Sequence, residues 1–365
     1  MGVIENTSLN SPTSTSQQTS SATSSPFLAA CYGQAHERVP VWFMRQAGRS
    51  LPEYRMMRGT DSILTAIADA DLATEITLQP VRRYGVDAAI LFSDIMVPVY
   101  AVGFGVDIQA GIGPVIAQPF SDASDLERLR PLEPEEDIAY VLEAIKNLQA
   151  ELVVPLIGFA GAPFTVASYL IEGGPTKTFQ KTKSLMFANP ELWAALMDRL
   201  CDITETFLKA QVEAGASALQ LFDSWAGTLS PAAYEQLVFP YTKRIIASTD
   251  NLGVPRICHG VGTGELLALF AQTGAEVVGV DWRVRLDEAR RRTGGKVSLQ
   301  GNLDPAVCLA PWPAVAEQTR KVLAENGSNP GYIFNLGHGV LPPTDPAILK
   351  QIVDLVHAEG HCDAN

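Results

Sequence analysis

The chain concentrates arginine around its first apolar segment. Residues 38–58 contain five arginines and one glutamate, a local charge of +4 in a chain whose net charge is −13. Four of these arginines, Arg45, Arg49, Arg55 and Arg58, follow the apolar run. Guanidinium groups bind carboxylates and phosphates through paired hydrogen bonds and stay charged at neutral pH. Several of them in one cleft predict a polyanionic small ligand, and the alternative is a solvated charged loop.

A single carboxylate ends another apolar run. Asp94 follows residues 88–92, which are all apolar, and Ser93. A carboxylate at the end of a buried strand requires a cationic or N–H partner, because its burial is costly without one. The sequence leaves two interpretations open for Asp94, a ligand-binding carboxylate and the N-cap of a following helix.

Three further side chains stand where predicted strands end or loops begin. His338 lies between two glycines, which lets a backbone or ligand approach closely, so we favour a ligand contact over a structural histidine. Tyr169 is equally consistent with a core aromatic, and Ser224 with a helix cap. No GxSxG, HExxH or Walker motif occurs, and we predict no metal site.

The composition limits the possible partners and compartment. The chain has 365 residues, 27 of them basic and 40 acidic, which argues against binding of nucleic acid or of an anionic membrane. Its five cysteines are scattered and form no CxxC motif, so neither a disulfide framework nor a zinc ribbon is indicated. A reducing cytoplasm is expected. A second basic stretch, residues 283–296, is predicted to be an exposed helix face.

These residues require a scaffold that brings the ends of many strands together. Short, continuously apolar runs alternate with amphipathic stretches, as expected for parallel strands that are buried on both faces. The predicted strands are 40–44, 88–94, 153–158, 217–223, 255–260, 276–282, 297–303 and 332–336. The clearest predicted helices are 69–84, 191–214, 231–251, 264–272, 312–326 and 345–357.

Eight strand-helix units predict an α/β protein with a single (β/α)8 TIM barrel, over residues 26–361. A doubly wound sheet is the alternative, but no GxGxxG follows the first strand. Residues 1–25 are dominated by Ser, Thr, Asn and Gln and are predicted to be a disordered tail. Residues 152–171 lack charge over a membrane-spanning length, but their prolines and glycines favour a strand and a loop.

Six segments of the chain, in order, resemble blocks of the uroporphyrinogen decarboxylase family, and the similarity runs from about residue 27 to 358. The two longest are residues 40–49 (PVWFMRQAGR) and 158–169 (GFAGAPFTVASY). The shorter ones are 92–95 (FSDI), 220–227 (QLFDSWAG), 300–305 (QGNLDP) and 335–339 (NLGHG). One departure is Ser50, where the family usually has tyrosine.

The resemblance implies a homodimer of (β/α)8 barrels that converts uroporphyrinogen III to coproporphyrinogen III without metal or organic cofactor. Four acetate side chains lose CO2 and become methyl groups. The residues agree with this expectation, because an octacarboxylate substrate explains the arginines of an acidic protein. Its four inward pyrrole N–H groups explain one carboxylate at a barrel mouth.

The resemblance also implies roles for individual residues. Asp94 would accept the pyrrole N–H bonds and stabilise developing positive charge. Arg45 and Arg49 would bind carboxylates, and Arg45 would also take part in proton transfer. The remaining substrate contacts implied are Gln46, Ala47, Gly48, Arg58, Tyr169, Ser224 and His338, with Tyr169 and His338 counted beside Asp94 and Arg45 as catalytic. Cys258 and His259 are assigned no role.

Two competing interpretations remain. A corrinoid-linked methyltransferase would share the fold, but it requires zinc ligands of His and Cys type at suitable spacing, and none is found in the sequence. A porphyrin-binding protein without catalysis is the other. Retention of Asp94 with both Arg45 and Arg49 argues against it.

Overall fold

The computed structural model describes residues 25–59, 62–109 and 111–362. The predicted disordered tail therefore lies outside the described residues, apart from Ser25. The Ser25 hydroxyl accepts a hydrogen bond from the Leu28 N–H and caps the first helix, whose third residue would otherwise leave its backbone donor unpaired.

The strands of the described chain form one large parallel sheet and one small hairpin. Their bounds are β1 Ala89–Ile90, β2 Val106–Gln109, β3 Gly113–Ile116, β4 Leu156–Gly161, β5 Ala218–Asp223, β6 Arg256–Gly260, β7 Val277–Gly279, β8 Ser298–Leu303 and β9 Tyr332–Leu336. The large sheet has seven strands in the order β1-β4-β5-β6-β7-β8-β9, all paired in parallel. Seven of the eight predicted strands are thus confirmed as members of one parallel sheet.

The sheet is strongly curled, because side chains from strands far apart in it meet on one face. Gln300 of β8 donates from Nε2 to Oε1 of Gln220 in β5 at 3.0 Å. Two strands separate β5 from β8, and a flat sheet would hold them about 14 Å apart. Trp42 reaches the same place and donates from Nε1 to Gln300 Oε1 at 3.0 Å.

The prediction of a first strand at residues 40–44 is wrong. Only Val41 pairs with the sheet there, through a single parallel bridge to Phe334 of β9. The backbone groups that would extend a ladder are bound elsewhere. Phe43 N–H donates to the Gln46 side chain at 3.0 Å and Met44 N–H to the Asn335 side chain at 3.1 Å. The segment still contacts both ends of the sheet, because Asp87 N–H donates to Val41 C=O at 2.8 Å.

The helices alternate with the strands, and several begin with proline, whose missing N–H costs nothing in the first turn. Their bounds are α1 Pro26–Cys31, α2 Pro52–Arg58, α3 Ile63–Ala68, α4 Ala70–Tyr84, α5 Val97–Ala101, α6 Pro134–Asp137, α7 Ala139–Glu151, α8 Pro163–Glu172, α9 Gln180–Ala188, α10 Pro190–Ala214, α11 Pro231–Leu237, α12 Phe239–Ser248, α13 Leu267–Phe270, α14 Leu286–Thr293, α15 Trp312–Asn326 and α16 Pro346–Glu359. Short 3₁₀ turns cover Ala123–Arg128, Ala226–Thr228, Asp250–Leu252, Gly264–Leu266 and Pro305–Leu309.

Four of the six predicted helices match within about two residues, and two are interrupted. The predicted helix 231–251 breaks into α11 and α12 at Val238, whose backbone leaves the helical region (φ −132°) ahead of Pro240. The predicted helix 264–272 is a 3₁₀ turn followed by the short α13.

The hairpin formed by β2 and β3 was not predicted. It is antiparallel and pairs Val106 with Ile116. Gly111 lies in its turn and Gly113 begins β3. Both have positive φ, a conformation that residues with side chains rarely adopt.

In the uncharged segment at residues 152–171 the predicted strand is confirmed as β4, but the predicted loop is wrong, because most of helix α8 follows, beginning at Pro163. No helix in the described ranges is both long enough and apolar enough to cross a bilayer.

Candidate active site

A cavity of about 480 Å³ opens where the strands of the large sheet end. Its walls come from the loop after Met44, the residues that follow β1, the ends of β5 and β6, helix α8, the loop after β9 and the hairpin. Nine of the ten predicted site residues line it, namely Arg45, Ala47, Gly48, Arg49, Arg58, Asp94, Tyr169, Ser224 and His338. Gln46 does not.

Gln46 holds the arginine loop in place instead of facing the cavity. Its buried side chain accepts from Phe43 N–H at 3.0 Å and donates to Ala88 C=O at 3.1 Å. These bonds connect the loop to the strand that leads to Asp94. The Arg55 guanidinium supports the other end, because it donates to the backbone C=O of Arg49 at 2.6 Å and of Ser50 at 3.1 Å. Arg55 is therefore a scaffold residue.

Arg45 sits at the turn of this loop in a left-handed conformation, with φ at 60°. A non-glycine residue pays for that conformation, so the surrounding contacts must impose it. Gly339 explains how its side chain is accommodated, since a Cβ atom there would lie 2.5 Å from Arg45 Cδ. Gly339, the glycine after His338, thus leaves the space that the Arg45 side chain occupies.

Two arginines of the cavity, Arg45 and Arg49, have no carboxylate partner among the described residues. Within the described ranges, neither Arg45 nor Arg49 makes a salt bridge. Arg38, from the same basic segment, instead pairs with the buried Asp87 at 2.7 Å. Arg58 lines the cavity and interacts with the Tyr54 hydroxyl. The cavity therefore offers positive charge to an anionic ligand.

Asp94 faces these arginines. Its Oδ1 accepts from Met96 N–H at 2.9 Å, a bond within a turn, and α5 is not capped by it, because Met96 occupies the N-cap position. Burial raises the pKa of Asp94, while the Met96 N–H and the nearby Arg45 act in the opposite direction. The helix-cap interpretation is wrong, and the carboxylate lines the cavity.

Tyr169 forms part of the wall next to Asp94. Its ring stacks on Trp225 with centroids 3.9 Å apart. Burial, with a smaller contribution from Asp94, raises its pKa to about 12, so the phenol keeps its proton at neutral pH. Behind the stack, the buried Asp223 accepts from Thr165 Oγ1 at 2.7 Å, and Thr165 Oγ1 accepts from Trp225 N–H at 3.2 Å. This chain of bonds positions the stacked pair.

His338 presents a neutral imidazole to the cavity. Burial, together with the smaller effects of the Arg45 and Arg283 charges, lowers its pKa to about 4. Gly339 N–H donates to His338 Nδ1 at 2.6 Å, so in the neutral ring the proton is placed on Nε2. The ring therefore has one N–H to donate without adding charge.

Several lining residues were missed from the sequence. His259 is the next-to-last residue of β6, and its position near the end of a strand was the signal available. The cavity also includes Phe159 and Phe222, whose rings meet edge to face at 5.4 Å, and the hairpin residues Ile108 and Gln109. A hairpin between β1 and β4 interrupts the strand-helix alternation, which is why the pattern did not reveal it.

Three or more His, Cys, Asp or Glu side chains placed to hold a metal ion do not occur together anywhere in the described part of the chain. Cys258 is adjacent to His259 but is buried, and it does not line the cavity.

The chain is similar to known proteins over most of its length. The family model described as uroporphyrinogen decarboxylase (URO-D) matches residues 22–359. Proteins named uroporphyrinogen decarboxylase from Salinispora tropica and Thermobifida fusca are 57% and 58% identical to the chain. The first match covers 91% of this chain and 90% of the relative, and the second covers 92% and 93%.

Among solved structures, a methyltransferase from Methanosarcina mazei superposes with a TM-score of 0.76 at 22% identity, over 92% of this chain and 98% of that one. At this identity the likeness concerns the fold alone. The match of the family model to most of the chain, with more than half of the residues identical in these relatives, shows that the chain belongs to the uroporphyrinogen decarboxylase family.

Proposed function

We propose that this chain removes CO2 from all four acetate side chains of uroporphyrinogen III, giving coproporphyrinogen III in tetrapyrrole and haem biosynthesis, without metal or organic cofactor. The observation that carries the proposal is one cavity containing both Asp94 and the arginines Arg45 and Arg49. A substrate with eight carboxylates supplies the anions that these two arginines do not find among the described residues. Its four inward N–H groups supply donors for the buried carboxylate.

The reaction needs an acceptor for the electron pair released with CO2. In the proposed sequence, the α carbon of one pyrrole ring is protonated and the ring becomes cationic. The bond between the acetate CH2 and its carboxylate breaks, CO2 leaves, and the electron pair neutralises the ring. A proton then adds to the former CH2 carbon and the α carbon loses its proton, so each turn consumes one proton and yields one methyl group.

Asp94 is the group proposed to stabilise the cationic ring. Its carboxylate would accept hydrogen bonds from the pyrrole N–H groups. These bonds would lower the pKa of Asp94, which burial raises. A fixed charge in a site that excludes water acts more strongly than in solution. Enzymes lower barriers by roughly 8–23 kcal/mol, so positioning by the arginines must contribute as well.

The other lining residues are proposed to orient the carboxylates. Arg45 and Arg49 would bind them through paired N–H bonds, with Arg58 at the rim and Arg45 close enough to the reacting ring to assist proton transfer. Tyr169, Ser224 and His338 would donate single hydrogen bonds, since burial keeps the Tyr169 phenol protonated and the His338 ring neutral. Ala47 and Gly48 would contribute backbone contacts. The burial of Gln46 argues for a supporting role there.

We extend the proposal to the assembly and the closed fold. The contacts of Val41 with Phe334 and Asp87 support closure of the curled sheet into a complete (β/α)8 barrel over residues 26–361. We retain the predictions of a homodimer in the cytoplasm and of no nucleic-acid or membrane partner.

The test is anaerobic incubation with chemically reduced uroporphyrinogen III, followed by oxidation and chromatographic separation by carboxylate number. We expect products with seven, six, five and finally four carboxylates. A folded, metal-free protein that converts none of the substrate would refute the proposal. Tight binding of the octacarboxylate in that case would identify a tetrapyrrole-binding protein without catalysis.

A further inference from the structure

One buried polar side chain in the cavity has no function in the proposed reaction. His259 is the next-to-last residue of β6, is only 2% exposed and lines the cavity. Among the described residues, its Nδ1 has no hydrogen-bond partner. Buried polar groups are almost always paired, so an unpaired one requires an explanation.

The neighbouring strands are shaped around this imidazole. In register, His259 lies between Phe222 of β5 and Gly279 of β7. Phe222 meets the ring edge to face at 5.9 Å. A Cβ atom on Gly279 would lie 2.3 Å from His259 Nδ1, so only glycine leaves room for the ring. Because Nδ1 is enclosed against β7, Nε2 is the ring nitrogen left to face the cavity, and no hydrogen bond joins it to another described residue. A leucine or phenylalanine at residue 259 would need no polar partner, so the position of Nε2 points to a partner from outside the chain.

The surroundings of His259 indicate what that partner is. His338 is the group that, after burial, acts on the pKa of His259. Arg45 lines the same cavity as both histidines, and its side chain runs past Gly339, the residue after His338. Burial lowers the pKa of His259 to about 3, so the ring is neutral and keeps one N–H to donate.

We propose that His259 is a substrate-binding residue that donates a hydrogen bond to one carboxylate of the tetrapyrrole, on the side of the cavity occupied by Arg45 and His338. A neutral donor adds specificity for the carboxylate without a further positive charge next to the guanidinium. This inference rests on the proposed substrate. It predicts an effect mainly on binding, because His259 contacts no atom that reacts.

The experiment compares His259→Phe, which keeps a ring and removes the N–H, with His259→Gln, which restores a donor. Initial rates with uroporphyrinogen III give KM and kcat. We expect KM to rise about tenfold in His259→Phe, equivalent to about 1.4 kcal/mol, with kcat within threefold of wild type. His259→Gln should return KM to within threefold. Cys258→Ala, a neighbouring buried change that does not line the cavity, is the matched control and should leave KM unchanged.

A wild-type KM in folded His259→Phe would overturn the inference, and so would equal impairment of the Phe and Gln variants. If His259→Phe does not fold, His259→Leu and His259→Asn make the same comparison. Fluorescence quenching by oxidised uroporphyrin III measures binding without turnover. If the wild type converts no substrate, the proposed function fails, and a Kd of His259→Phe equal to wild type would separately refute the hydrogen bond.

Discussion

Two arginine-rich segments of this molecule have similar sequences and opposite environments. The loop around Arg45 and Arg49 lines the cavity, and neither side chain forms a salt bridge within the described ranges. Helix α14 carries Arg290, Arg291 and Arg292, and each of them is bound by a neighbouring side chain.

The partners on α14 are local. Glu288 accepts from Arg291 at 2.6 Å and from Arg292 at 2.7 Å, one turn away along the helix. Arg290 donates to Asn326 at 2.9 Å. The segment was predicted to be an exposed helix face, and this is confirmed in its main features, although Arg290 is partly buried. Glu288 lies three and four residues away from Arg291 and Arg292 and offsets their charge without any ligand.

The difference shows that an arginine is available to bind an external anion when no carboxylate of the described residues is already paired with it. On α14 an external anion would have to displace Glu288. In the cavity, the nearest carboxylate is Asp94, whose raised pKa reflects burial more than the attraction of Arg45. The positive charge of the cavity therefore remains available for substrate carboxylates.

Replacing the carboxylate that faces the cavity arginines should have the largest effect. Asp94→Asn keeps the size of the side chain and removes its charge. We expect kcat to fall roughly 100- to 1,000-fold, the usual loss when one preorganised electrostatic contact in an active site is removed. Anaerobic turnover measures it, with circular dichroism as the control for folding. Near-normal kcat would exclude the charge-stabilising role.

The same variant should gain stability relative to wild type as pH rises. The folded-state pKa of Asp94 is raised by burial, so the stability it contributes is present below the unfolded-state value near 4 and is lost as pH rises through the folded-state pKa. Thermal unfolding at pH 4 and pH 7 should show the Tm of Asp94→Asn rising relative to that of wild type. A relative Tm that falls with pH would contradict the raised pKa.

Removing an arginine from each segment tests the comparison directly. Arg49→Ala should raise KM roughly 10- to 100-fold with little change in kcat, because a hydrogen bond to a charged group is worth about 1.5–3 kcal/mol. Arg291→Ala on α14 makes the identical chemical change outside the cavity. An unchanged KM in Arg49→Ala would remove that residue from the carboxylate site.

A smaller effect should connect Arg45 to His338. Because Arg45 lacks a carboxylate partner, its charge lowers the pKa of His338, after the larger effect of burial. In Arg45→Gln, we expect that pKa to rise part of the way from about 4 toward 6.5, measured by NMR titration of the imidazole. Arg292→Ala should not move it. A pKa that stays near 4 in Arg45→Gln would mean that burial alone determines it.

The smallest effect is expected on α14 itself. Arg291→Ala breaks one exposed ion pair, and such pairs contribute little to stability. KM and kcat should both stay within about twofold of wild type. A large change in KM would show that α14 takes part in substrate binding, and the contrast between the two segments would then fail.

Much of the scaffold was predictable from the sequence because its signals are local. Continuous apolar runs identified seven strands of the sheet, and proline or polar caps located helices such as α15 and α16. The first predicted strand failed because side chains of Gln46 and Asn335 bind the backbone that would extend it. The hairpin was missed because its short strands interrupt the repeating pattern.

The positions of most site residues were also predictable from the sequence. Parallel strands end at one edge, so polar residues after them converge, and nine of the ten predicted residues line the cavity. Gln46 was predicted to offer a backbone contact, and the motif did not indicate that its side chain binds Phe43 N–H and Ala88 C=O. His259 carried the signal of a strand end, but its strand neighbours Phe222 and Gly279 explain why its ring has space.

The sequence by itself determined the strand-helix alternation, the excess of arginine in one loop and the order of the family motifs, because each depends on residues close together in the chain. Tertiary structure alone decided which arginines have no carboxylate within reach in the described ranges, which glycine leaves space for the Arg45 side chain and which buried imidazole finds no partner there. Those properties depend on residues far apart in sequence. Arg45 and Gly339 are separated by nearly the whole chain, and only the curled sheet brings them into contact.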